Sequence, residues 1–211
     1  MSNTNTPWGF KPLFMTEARK TCLILPITNN YGTALYVYDP VIAVTAGTIE
    51  RGGTTGTWCG IILGLYKKLG PTSTYRPEHL EPVQYMGATP GATYDYAALV
   101  AVDPNIFLTA QEDGVTSSLQ ITDNFGNCDV TFGAGGNTTT GISGALIDSN
   151  TIDATATRPI KLILPWTNYY DPIANAYNAV STTGTAGNYC KWICKINYHQ
   201  FGQGSLALGL A

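Results

Sequence analysis

The chain is short of charge. Asp, Glu, Lys and Arg make up 12% of its 211 residues, about half the share of an ordinary soluble domain. Eleven Lys and Arg stand against 14 Asp and Glu, a net charge of −3. A nucleic-acid binder carries a basic surplus or stripe, so no direct nucleic-acid partner is expected. Long apolar runs are missing too. The best candidate, 60–66, falls far short of the ~20 residues of a membrane helix, and no membrane partner is expected. The opening MSNTNTPWGFKP lacks a basic segment followed by an apolar one, so the expectation is a protein made and assembled in a cytoplasm. The only histidines are His79 and His199, far too few and too scattered for a zinc centre of three or four ordered ligands. The cysteines, Cys22, Cys59, Cys128, Cys190 and Cys194, form an odd set with no CxxC spacing. They read as buried thiols, not as a disulfide framework. No cofactor and no metal are expected.

What is abundant points one way. The chain has 29 Thr, 13 Tyr, 23 Gly and 12 Pro; Thr and Tyr favour strands, and Gly and Pro punctuate turns. Short apolar or alternating runs recur between turn signals, at 22–27, 35–38, 41–45, 58–67, 94–102, 106–111, 119–121 and 159–164. The clearest is YCKWICKINYH, where Cys190, Trp192, Cys194, Ile196 and Tyr198 share one face and Lys191 and Lys195 share a wet one. Glycines 60 and 64 in the 58–67 run mark a close backbone approach or a bend. Nothing resembles a helix beyond two turns, except weakly near 139–148; 171–178 reads as a loop with room for one helical turn. The fold class is all-β: an antiparallel sandwich or barrel, a jelly roll among the candidates. Residues 1–20 read as an extended N-terminal arm and 21–211 as one β-rich domain, with a Pro-rich loop excursion at about 70–90.

Catalytic patterns are weak. The segment GISGA, 141–145, nearly matches a nucleophile elbow, with Ser143 followed by Asp153 or Asp171 and then His199. An elbow needs a strand before the serine and a helix after it; here a Gly/Thr-rich loop precedes it. Glu112 and Asp113 are adjacent carboxylates and read as solvated loop charges. The glycine-rich stretches at 52–56 and 133–136 lack the G-K-[ST] ending of a phosphate loop. No enzymatic activity is expected; a serine hydrolase using Ser143 is the remote alternative.

Seven segments, in order, resemble a family of tailed-bacteriophage head proteins, the capsid cement or decoration proteins. TPWGFKPL, 6–13, is similar to the family's P-[FYW]-G-F-[RK]-P opening, with Lys11 at a position usually Arg. YDPVIAV, 38–44, resembles its GDPV stretch, with Tyr38 in place of Gly. CGIILGLYKK, 59–68, VAVDPNIFLTAQEDG, 100–114, FGNCDV, 125–130, TTTGISGALIDSN, 138–150, and KINYHQFGQG, 195–204, resemble further pieces. The run MTEARKTCLIL replaces a polar, glycine-rich stretch. The resemblance implies a structural virion protein on the outer surface of the head, assembled in the host cytoplasm. Its partners would be the major capsid protein and itself, as a homodimer or homotrimer, and it would link capsid subunits against the pressure of packaged DNA. On this reading Trp8 and Phe10 anchor the arm to capsid or a sister subunit, Lys11 clamps carboxylates, and Pro12, Leu13 and Phe14 extend the contact. Tyr75, Arg76 and His79 supply loop contacts. Deleting the arm is expected to spare the domain. A head fibre or carbohydrate-binding module, gripping glycans through Trp58 or Tyr75, is the alternative.

Overall fold

The computed structural model describes residues 3–14, 22–68, 80–87, 96–133, 135–173 and 175–202. They form an all-β, sandwich-like fold of antiparallel sheets. In chain order the strands are β1 (Lys11–Phe14), β2 (Cys22–Pro26), β3 (Leu35–Tyr36), β4 (Pro40–Ala43), β5 (Ile49–Arg51), β6 (Gly60–Lys68), β7 (Leu80–Val83), β8 (Tyr85–Met86), β9 (Tyr96–Ala101), β10 (Phe107–Gln111), β11 (Asn127–Cys128), β12 (Val130–Thr131), β13 (Leu146–Ile147), β14 (Ile160–Pro165), β15 (Tyr170–Asp171), β16 (Ala176–Tyr177) and β17 (Lys191–Ile196). One sheet runs β1-β10-β17-β14-β11. The other runs β2-β9-β6-β4-β5, with β7 beside β6. The Asp103-Pro104 turn joins β9 of one sheet to β10 of the other, so it is a corner between sheets and not a hairpin.

The interior lies where the two sheets face each other. Leu108, Ala110, Leu162, Trp192, Cys194 and Ile196 from the first sheet meet Ile61, Ala101 and Trp58. The second sheet is buried on both faces. Ile61 points into the sandwich, while Ile62, Leu65, Ala98 and Val100 belong to a separate core closed by Leu35, Met86, Ile27 and Ile49. A bulge between Ile62 and Gly64 moves Leu65 onto the same side as Ile62, where strict alternation would put it opposite. Both glycines of β6 thus have a cause: Gly64 sits at the bulge, and a side chain on Gly60 would run into the Ala101 carbonyl. All five cysteines are free thiols, four of them buried. Desolvation lifts the Cys59 and Cys190 thiols to about 12.

Several local expectations change. The described residues hold no α-helix: 139–148 is turn and strand, and the DPIANAYN segment closes a small hairpin, β15–β16. Ile121 opens a single 3-10 turn instead of ending a strand. The largest change concerns the arm. Residues 3–14 are part of the domain: β1 pairs with β10 along the sheet edge, and Phe10 is fully buried, edge-on to Trp58 with ring centroids 5.3 Å apart. The segment read as an arm for a partner, but it buries Phe10 in a core built by strands far along its own chain.

Phe10→Ala removes a packed aromatic from that core and is expected to cost about 3–5 kcal/mol, whereas exposed Lys11→Ala stays within about 0.5 kcal/mol. Chemical denaturation of the two variants checks this; equal midpoints would mean that Phe10 does not hold the domain.

Candidate functional site

The candidate site is built where the N-terminal segment crosses the domain. Residues 3–8 lie as a strap over the outer face of the first sheet and bond to it all along. Asn3 Nδ2 donates to the Ala179 carbonyl at 2.9 Å, and its Oδ1 accepts from the Ala179 amide at 3.0 Å. Gln111 accepts from the Thr6 amide at 3.0 Å and donates to Asn5 at 2.7 Å. Lys191 Nζ donates to the Thr4 carbonyl at 2.8 Å. Its ammonium also lies 5.9 Å from the Trp8 ring and 5.8 Å from the Tyr169 ring, within cation–π range. Trp8 packs on Tyr169 at 5.3 Å and donates its indole N–H to the Thr109 carbonyl.

The chain then turns from the outer face to the core within two residues. Gly9 has φ +72°, and a side chain there would meet Ser143 Cβ at 2.5 Å and the Tyr38 carbonyl at 2.7 Å. The Phe10 amide donates to that Tyr38 carbonyl at 3.0 Å. Beneath it, buried Asp39 accepts from the Ser143 hydroxyl at 2.5 Å and from the Tyr36 amide at 2.9 Å. Ser143 Oγ in turn accepts from the Ala145 amide. Burial raises the Asp39 carboxyl to about 6, against these bonds that favour its charged form. Beside this knot a cleft of about 710 Å³ opens between the strap and the Gly/Thr loop, lined by Pro7, Trp8, Gly136, Asn137, Thr140 and Ile142, among others.

The predicted residues therefore separate. Phe10 is spent in its own core and is not a free anchor for a partner, while Trp8 is half-buried on its own sheet and lines the cleft. Lys11 is exposed on β1; Pro12 and Leu13 are half-buried; Phe14 ends the strand, its side chain outside the described residues. Tyr75, Arg76 and His79 also lie outside the described residues. Trp58 is fully buried and presents no ring to a glycan. The elbow residues make separate bonds: Ser143 serves Asp39, Asp153 pairs with Arg158, and His199 Nδ1 accepts from the Phe201 amide. Asp153 is held well below the usual carboxylate range by the Arg158 guanidinium. Among the described residues no three His, Cys, Asp or Glu side chains gather as metal ligands.

Three residues carry weight that the sequence did not signal. Asp39 read as a turn residue within the YDPV resemblance, with no role of its own. Lys191 read as solvent-facing and is buried under the strap. Glu112 read as a loop charge and is fully buried, its carboxylate accepting from the Leu119 amide at 2.5 Å and the Cys190 amide at 2.9 Å. Its neighbour Asp113 is buried too, bonded to Ser149. The alternating pattern of YCKWICKINYH correctly placed Trp192, Cys194 and Ile196 inside, but no local pattern shows that a distant strap covers Lys191. Neither the family models, the curated proteins nor the solved structures give a match to this chain.

Glu112 makes stability pH-dependent. Burial lifts its carboxyl from 4.5 to about 7, beyond what its two backbone hydrogen bonds and other contacts take back. The folded chain therefore holds a proton that the unfolded chain releases, and stability falls as pH rises from about 4.5 to about 7. The contribution is on the order of 3 kcal/mol. His199 works the other way: burial pushes it down to about 4, so its contribution is lost as pH falls from about 6.5. Comparing melting temperatures of wild type and Glu112→Gln across pH 4–8 isolates the first effect. The variant is expected to be less stable at pH 4 and to lose less on going to pH 8; parallel curves would show that Glu112 does not titrate on folding.

Proposed function

We propose that this chain is a structural virion protein, a capsid cement protein that sits on the outer surface of a tailed-phage head and ties neighbouring major capsid subunits together. One observation carries the reading. Three of the segments that resemble the family, remote in sequence, meet in one knot: Gly9 of TPWGF, Tyr38 and Asp39 of YDPV, and Ser143 of TGISG. Each motif residue has a physical reason there. In the three segments that meet at the knot, the positions at which the family pattern has glycine, 9, 38 and 141, have left-handed backbone, with φ +72°, +73° and +71°, whereas Gly60, Gly64 and Gly126 of other segments do not. Tyr38, which stands where the family pattern has Gly, lies in backbone that glycine adopts most readily. Ser143 donates its hydroxyl to Asp39 and seats it. On this reading the motifs specify this knot, which holds the N-terminal strap onto the sheet.

Two experiments test the reading. A non-glycine residue in left-handed backbone costs about 1–2 kcal/mol, so Tyr38→Gly is expected to be more stable than Tyr38→Ala by about 1 kcal/mol. Both variants lose the same packing, and equal stabilities would remove the conformational link to the family pattern. For function, the chain is mixed with expanded, undecorated heads and sedimented. Saturable binding at a fixed ratio to capsid subunits is expected; no co-sedimentation overturns the proposal.

A further inference from the structure

The strap covers only part of the outer face of the first sheet, and register shows what lies on the rest. Residues paired across antiparallel strands point to the same side. Lys11, Thr109, Ile193 and Leu164 therefore form one outward row across β1, β10, β17 and β14. Phe107, Lys195, Lys161 and Asn127 form the next, across β10, β17, β14 and β11. Thr109 is buried under Trp8. Beyond it the face is open: Phe107 is 40% and Leu164 44% exposed, Ile193, Lys161 and Lys195 are half-exposed, and Lys11 is fully so.

The composition of this open half is unlike the rest of the chain. Two rows of four contain three lysines and three large apolar residues and not one carboxylate, in a protein whose net charge is −3. Lys161 and Lys195 are direct cross-strand neighbours, an arrangement that costs stability in an isolated sheet. Lys161 reaches only the Asn127 side-chain oxygen, at 3.4 Å, and no carboxylate pairs with Lys11, Lys161 or Lys195 among the described residues. The face ends at a depression of about 840 Å³ lined in part by Asn105, Thr157, Lys195 and Phe201, so the contact surface is not flat.

From this we infer that the open half of the outer face, centred on Phe107, Ile193 and Leu164 and ringed by Lys11, Lys161 and Lys195, is a docking surface for a carboxylate-bearing protein surface. Apolar side chains at the centre and charges at the margin are the ordinary anatomy of a protein interface. The charges argue against the other occupants. A second copy docked face to face would set lysines against lysines. A nucleic acid or other linear polyanion gains little from three cations on a net-negative body, and it makes no use of the aliphatic centre. The inference rests on the cement reading, in which the acidic partner is the capsid lattice, and it moves the attachment from the aromatic arm to the sheet that the arm braces.

The test uses the full chain and expanded, undecorated heads. Lys161→Glu/Lys195→Glu is expected to weaken head binding at least tenfold and to abolish its salt dependence, because marginal charges act through steering and salt-sensitive association. Phe107→Ser/Leu164→Ser is expected to weaken it comparably with the salt dependence kept. Both pairs lie on the surface, and unchanged melting temperatures identify the losses as binding losses. Wild type binding while both variants bind equally well overturns this surface and leaves the cement reading standing. Wild type failing to bind overturns both. Binding of wild type to linear DNA or heparin as tight as to heads, at physiological ionic strength, overturns the protein-surface assignment.

Discussion

The Phe10 side chain reaches the core only because the chain can change faces of the sheet at Gly9. Trp8 packs outside, on Tyr169 and above Lys191; Phe10 packs inside, on Trp58. The crossing needs a left-handed backbone at residue 9 and leaves no room for a side chain between Ser143 and the Tyr38 carbonyl. Everything near it depends on that passage. The Tyr38 carbonyl accepts from Phe10, the Ser143 hydroxyl beneath it is fixed by Asp39, and Asp39 ties the end of β3, through the Tyr36 amide, to the start of β4. Two sheets and the strap are joined there by a few bonds in a dry place, where each is strong and each missing partner is costly.

Buried charge is the recurring cost of this design. Asp39, Glu112, Asp113 and Lys191 are all buried in a chain with few charges to place. Each is positioned to collect backbone groups that local secondary structure leaves over. Glu112 takes the amides of Leu119 and Cys190, tying the end of β10 to the start of β17 and to the 115–120 loop. Lys191 takes the Thr4 carbonyl of the strap. In a fold made of short strands and long loops, many amides and carbonyls lie away from the ladders, and they must be satisfied where they are buried. Long-range side-chain bonds do that here, which is why the strap, although almost without regular structure, is well held.

The sequence disclosed what depends on local pattern. Thr, Tyr, Gly and Pro abundance and short alternating runs gave an all-β fold, and the face assignment along 190–198 held for Trp192, Cys194 and Ile196. The two glycines of β6 were flagged for a bend or close approach, and they mark one of each. What stayed hidden depends on partners far along the chain. Asn3 bonds Ala179, Lys191 bonds Thr4, and Gln111 bonds Asn5 and Thr6. Such contacts leave no periodicity. They reverse the solvent-facing reading of Lys191 and Glu112, and they turn an arm that looked detachable into an edge strand and a core residue. The knot of Gly9, Asp39 and Ser143 was visible only as three separate motif fragments with no reason to be together.

Among the described residues the edges of both sheets carry devices that disfavour extension, and this bears on how the molecule can meet a partner. β1 carries Pro12, which has no amide hydrogen to donate, and breaks register between Pro12 and Phe14. β2 ends in Pro26 and β7 contains Pro82. The remaining edge strands, β5 and β11, are three and two residues long. Proline, bulges and short length are the devices that keep sheet edges from pairing with another chain. Among the described residues these devices disfavour edge pairing and favour association through a face. The second sheet has its outer face sealed by Leu35, Met86, Ile27 and Ile49 of its own chain. Among the described residues it is the first sheet that keeps a face partly open. The strap fixes how much: Trp8 and residues 3–6 close it over Thr109, Gln111 and Lys191, and stop short of the Phe107–Lys195–Lys161 row. A segment that first looks like a reaching arm is better understood as the border of the surface it leaves exposed.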